Sequence, residues 1–365
     1  MTSTASDPAA LPSASFAVRS AGYGIAAAIV VLFAFYGTYF AQTLVPLAPE
    51  QAAMAAMQSG EGGLYGVLLR LWQAVAGPSL LAARTFSLLA GILALVAGFT
   101  IARRLAGDLV MAAFLVLSFV LYPPLVATMV TATPHALFLL CALGAFALLQ
   151  ASPHGGALVG AGVLAFGGAL LHPLGCVVMP LWAVQTALIL GQRRAWSIAA
   201  AAVAGAALAV LIAPPVSDAD VSGAGHGTLL KALALPYAMV IVATGLSCIA
   251  ALSAETRRAL GPMRVLVVLA GPLLAAAVLL GAVALNLLAV GQVVTAAAVT
   301  FPLVFLTPWP LIYWVRVQMP QVKNIIAWIA FPVIMYSSFW VVLGPVDPHR
   351  FPYSHRQVER PPQPH

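Results

Sequence analysis

Apolar residues run along this chain in long unbroken blocks, with charge confined to short clusters between them. From Leu109 to Gln192 there is no Asp, Glu, Lys or Arg, and a second such run extends from Val265 to Val315. A bilayer-crossing helix needs about 20 apolar residues, so each run holds several crossings. The pattern predicts about eleven spans, near 23–42, 80–101, 109–122, 135–151, 157–171, 175–191, 196–213, 232–252, 265–285, 287–312 and 325–343. The predicted fold class is an all-α integral membrane protein with no large soluble domain. Residues 1–22 form an N-terminal segment, 23–344 the transmembrane domain and 345–365 a polar, proline-rich tail.

Composition sharpens this. The 365 residues are 62% hydrophobic and 7% charged, against roughly 25% charged in soluble domains. A water-facing surface cannot be built from so little charge. The net charge of +7 is no nucleic-acid signal, because the basic residues cluster at span ends. Arg103 and Arg104 follow the second span, Arg193 and Arg194 the sixth, Arg257 and Arg258 the eighth, and Arg316 and Lys323 the tenth. Basic clusters mark cytoplasmic ends. All four fit one orientation, with the N-terminus inside and the C-terminus outside. Cys141, Cys176 and Cys248 lie in apolar segments and read as small hydrophobes; no metal spacing is present. Tyr122, Trp182, Trp309, Tyr313, Trp314, Tyr336 and Trp340 fall near predicted interfaces, as an aromatic belt does.

The longest outer connection, 43–79, carries Glu50 and Glu61. Ala52, Ala53, Met54, Ala56 and Met57 suit a short interfacial helix, which the Ser59-Gly60-Glu61-Gly62-Gly63 run ends. Arg84 falls about one turn inside the second span, where an arginine is costly unless paired or snorkelling. His135, after Pro134, and His172, before Pro173, fall near the same outer surface. Either these residues line one outer cavity, or the acids are solvated, the arginine is paired locally and the histidines are hydrogen-bonded structure. The loop 214–228, with Asp218, Asp220 and His226, reads equally as a flexible polar loop or a metal cluster.

The segment PEQAAMAAMQSGEGGLYGVLLRLWQAVAGPSLLAARTFSLLAG, from Pro49 to Gly91, resembles the first outer loop and second span of the GT-C class of membrane glycosyltransferases. Within that class it is similar to the polyprenyl-phosphate-sugar enzymes of the protein-mannosyltransferase and aminoarabinose-transferase superfamily. Ser79, Arg84, Ser87 and Gly91 fit the pattern S-x-x-x-x-R-x-x-S-x-L-x-G, and Ser59, Gly60 and Glu61 fit the preceding turn. The stretches from Arg103 to Leu149 and from Gly168 to Val184 continue the likeness, so it covers about half the chain, to near Leu190.

The resemblance implies a GT-C-like transmembrane module and a lipid-linked sugar donor in the bacterial inner membrane, with chemistry at the periplasmic face. It implies Glu50 as the catalytic or acceptor-positioning carboxylate, Glu61 as a second acid, and Arg84, with His135 and His172, as donor contacts. Basic side chains or a divalent cation would offset the leaving phosphate's charge. The family's loop opens with an acidic pair, of which the first is catalytic; here the pair is Pro49-Glu50. Two alternatives therefore stand beside the transferase. One is a non-catalytic membrane subunit working with a protein partner. The other is a lipid or small-molecule transporter, against which the lack of mid-membrane charge counts.

Overall fold

The structure is a computed structural model. It describes residues 16–43, 48–60, 62–107, 109–120, 123–151, 155–172, 174–191, 193–212, 240–285 and 293–318. Glu61, the 214–228 loop, the predicted span 325–343 and the tail lie outside these.

Among the described residues the chain is helical and has no strand. In order the helices are α1 (Phe16–Thr43), α2 (Ala48–Ser59), α3 (Gly63–Ala76), α4 (Leu80–Ala106), α5 (Leu109–Val120), α6 (Pro123–Val130), α7 (His135–Ala151), α8 (Gly155–Leu171), α9 (Gly175–Leu190) and α10 (Arg193–Ile212). After them come α11 (Val240–Ala251), α12 (Ala254–Leu260), α13 (Pro262–Ala284), α14 (Val293–Val304) and α15 (Trp309–Gln318).

Among the described residues, two helices are long and apolar enough to cross a bilayer alone: Leu80–Leu105 and Pro262–Ala282. Two further crossings become available if each bent pair counts as one: α11 with α12, bent by 99°, and Ala296–Val304 with Trp309–Gln318, bent by 45°. The apolar stretches of other described helices, such as Ala26–Tyr39 and Ala195–Gly205, are shorter. Large apolar side chains point outward along long and short helices alike, as at Phe35 (69% exposed) on α1, Leu273 (73%) on α13 and Leu93 (54%) on α4. In water such a surface aggregates; lipid is its natural solvent.

Local chemistry sets the helix ends. Ser79 caps α4, its Oγ accepting from the Ala82 N–H at 3.1 Å. Gly107 ends that helix at φ 65°, a left-handed value that favours glycine. Pro123 opens α6, so the predicted third span stops at Val120 and a short extra helix follows it. Pro180, Pro272 and Pro302 sit inside α9, α13 and α14. Each removes a backbone donor, and Pro302 lies just before the bend that splits the predicted 287–312 span.

Helix α4 packs against α1, α5 and α7; α7 continues onto α8, and α10 lies across α8 and α9. Helix α14 contacts α6, α7, α9 and α13, which joins the C-terminal helices to this group. Without a strong hydrophobic drive in lipid, helices associate by close packing over small residues. A Cβ on Gly144 or Gly160 would meet Leu164 or Leu148 at 3.2 Å, and one on Gly168 would meet Met179 at 3.1 Å. Trp182 does not lie in an aromatic belt. It is buried, donates to the Ala142 carbonyl and meets Phe146 edge-on. Trp309 is buried too. Cys141 is buried as expected, but Cys248 is exposed on an apolar helix.

Candidate functional site

Helix α2 begins two residues before Glu50 and places that carboxylate beside α4. Glu50 is 0% exposed and Arg84 2%. Arg84 Nε donates to Glu50 Oε1 at 2.8 Å, and Nη2 donates to Oε2 at 2.7 Å. Arg84 Nη1 donates to the Ala41 carbonyl, near the end of α1, at 3.0 Å. The Ala132 backbone N–H, between α6 and α7, donates to Glu50 Oε1 at 2.8 Å. One ion pair therefore joins α1, α2, α4 and the α6–α7 turn, the Glu50–Ala132 hydrogen bond alone spanning 82 positions.

The geometry is that of a planar guanidinium on a planar carboxylate, the strong bidentate arrangement. Burial is tolerable because both charges are matched and further hydrogen bonds satisfy them. The sequence offered Arg84 either a ligand or a loop acid; the structure pairs it with Glu50.

The same turn is held a second way. Ser87 Oγ, one turn along α4 from Arg84, donates to the Thr133 carbonyl at 3.4 Å. Thr131 and Thr133 are buried, with their hydroxyls 3.5 Å apart. Directly after this turn, His135 opens α7. Its ring lies against that of His172, centroids 5.1 Å apart at 49°. His172 Nδ1 accepts from the Leu174 N–H at 3.1 Å, so when neutral it carries its proton on Nε2. His135 is buried, and neither of its ring nitrogens has a hydrogen-bond partner among the described residues.

The remaining loop residues support the site from outside. Arg70 of α3 is not simply a surface anchor. Its Nε donates to the Met57 carbonyl at 2.8 Å and its Nη2 donates to the same oxygen, which closes the α2–α3 turn at Gly60, φ 91°. Tyr65 of α3 is buried. Burial pushes its hydroxyl up to about 12; the Ser87 hydroxyl works against this and the Glu50 charge adds to it. Tyr65, Thr131, Thr133 and Ala132 were not readable as site residues. A backbone N–H and small hydroxyls in an apolar run carry no spacing signal.

The structure thus brings Glu50 and Arg84 into contact, and His135 and His172 into contact, with the Ala132–Pro134 turn between the two pairs in the chain. Among the described residues no three His, Cys, Asp or Glu side chains converge as a metal site. The arrangement offers a closed, charge-neutral clamp beside a buried imidazole, His135, and a half-buried one, His172. No family model, curated protein or solved structure matches this chain.

Proposed function

We propose that this chain is a membrane glycosyltransferase of the GT-C kind. In this reading it moves a sugar from a polyprenyl-phosphate donor to a lipid, glycan or protein acceptor at the periplasmic face of a bacterial inner membrane. It crosses that membrane about eleven times, N-terminus inside. The single observation that supports the reading is the Glu50–Arg84 pair. It joins the outer loop to the second span, the two elements that carry the resemblance, and ties both to the α6–α7 turn.

The roles differ from those the sequence alone suggested. Both Glu50 oxygens are occupied, so Glu50 acts as a positioning residue that fixes the turn ahead of His135. Arg84 turns its fork to Glu50 and Ala41, so hydrogen bonding to the donor phosphate falls to the His172 Nε2–H. His135, with a free ring nitrogen, takes the proton from the acceptor hydroxyl or amine. As that oxygen or nitrogen bonds to the anomeric carbon, the carbon–oxygen bond to phosphate breaks and polyprenyl phosphate leaves as the anion. A neutral imidazole can accept such a proton on an unprotonated ring nitrogen.

The test uses radiolabelled sugar on polyprenyl-phosphate donors, in membranes lacking the chromosomal copy and complemented with wild type or His135→Phe. A labelled product that requires the wild type and is lost with His135→Phe, at equal protein level, is the expected result. Identical products from all three membranes would contradict the reading for the donors used. The second reading, a non-catalytic membrane subunit, is favoured by Pro49 and by the closed state of Glu50. It predicts unchanged transfer and a protein partner that co-purifies with the chain.

A further inference from the structure

Away from the outer site, the chain makes its sharpest turn at the end of α11. Helix α12 leaves α11 at 99°. Leu252 and Ser253 form the corner, their N–H groups donating to the Ile249 and Ala250 carbonyls. Arg257 Nη2 donates back to the Leu252 carbonyl at 3.2 Å, bracing it. Gly261, at φ 78°, then redirects the chain into α13. Thr256 and Leu260 hold α12 down, both buried, and Gln318 of α15 donates to Glu255 at 2.7 Å.

What remains outward has two characters. Arg257, Arg258 and Arg264 are exposed. Around them Leu252, Met263 and Leu266 are exposed as well. Three arginines against the one acid, Glu255, leave this corner with a local charge of 3 − 1 = +2. If the predicted span 232–252, of which α11 is the described part, and α13 cross the bilayer, a helix at right angles to α11 lies in the membrane surface. Its apolar neighbours then reach the acyl chains while the guanidinium groups sit at headgroup depth. Guanidinium matches a phosphodiester through paired N–H donors.

We infer that the α11–α12–α13 elbow, Leu252 to Leu266, is a docking surface for anionic phospholipid in the leaflet it faces. The phosphate of a phosphatidylglycerol-type headgroup meets Arg257, Arg258 and Arg264, and its tails lie on Leu252, Met263 and Leu266. The occupied elbow fixes α12 against α15 through Glu255 and Gln318. This inference is independent of the glycosyl-transfer reading.

The test is native mass spectrometry of the purified full chain with an equal mixture of phosphatidylglycerol and phosphatidylcholine. A juxtamembrane arginine is expected to give roughly a fivefold preference for the anionic lipid. Wild type should therefore retain phosphatidylglycerol preferentially, R257Q/R258Q/R264Q should fall to near parity, and R193Q, a basic residue elsewhere, should keep the preference. Hydrogen exchange on wild type in nanodiscs should show residues 252–266 protected more by phosphatidylglycerol than by phosphatidylcholine, a readout that needs no variant. Equal retention of the two lipids by wild type would overturn the inference. So would a preference that survives the triple change, or one lost as fully in R193Q, which marks diffuse charge attraction.

Discussion

Glu50 and Arg84 set a carboxylate and a guanidinium against each other out of reach of water. Removing one partner of such a pair leaves a buried uncompensated charge, at a cost of about 3–5 kcal/mol. Arg84→Lys keeps the charge and loses the fork, since an ammonium cannot reach both Glu50 oxygens and Ala41 together. Loss of a charged hydrogen bond predicts about 2 kcal/mol of destabilisation, read by thermal unfolding in detergent. Tyr65 supplies a pH test of the same region. Its hydroxyl titrates at the ordinary 10.0 when unfolded and at about 12 when folded. The fold favours the protonated form, so this contribution is complete below pH 10 and is lost as pH rises toward 12. Wild type should lose stability more steeply than Tyr65→Phe across that window, by on the order of 2 kcal/mol. Equal slopes would mean that Tyr65 is not buried.

Among elements, glycine contacts separate packing that can yield from packing that cannot. A Cβ on Gly175, the first residue of α9, would lie 2.6 Å from the Gly168 carbonyl oxygen and 3.2 Å from the Phe138 ring. Backbone cannot swing aside, so Gly175→Ala should open the α8–α9 hairpin and cost about 1–3 kcal/mol. On Gly91 the obstacle is the Met129 side chain at 2.9 Å, a flexible neighbour, and the loss should be smaller. Gly281, inside α13, has open space, so Gly281→Ala should be neutral or stabilising by up to about 1 kcal/mol. Melting temperatures of the three variants should rank in that order. Much of this level was legible from hydropathy. The predicted spans 135–151 and 175–191 match α7 and α9 to within one residue, because Pro and Gly punctuate both ends. What hydropathy does not see is a bend. The 287–312 block divides at Phe305–Pro308, and the 109–122 block gives way to α6, because an apolar run reads the same whether straight or broken. The Glu50–Arg84 partnership was only half legible: the residue types implied a partner, but nothing in sequence names an Ala132 N–H.

For the whole molecule, the charge clusters predict one orientation. An alkaline phosphatase fusion after Gly60 should be active outside, and one after Arg258 should not, with a cytoplasmic reporter giving the reverse. The same result from both sites would break the alternation on which the eleven-span reading rests. The central claim is that one ion pair gathers α2, α4 and the α6–α7 turn into a single site. Its most direct test is a double-mutant cycle of Glu50→Gln and Arg84→Met, read as unfolding free energy in detergent. Each single change should cost about 3–5 kcal/mol. The double variant should recover much of that, giving a coupling of roughly 2 kcal/mol or more, in the range of residues in contact. Costs that simply add would mean Glu50 and Arg84 do not meet, and the site built around them would fall with that contact.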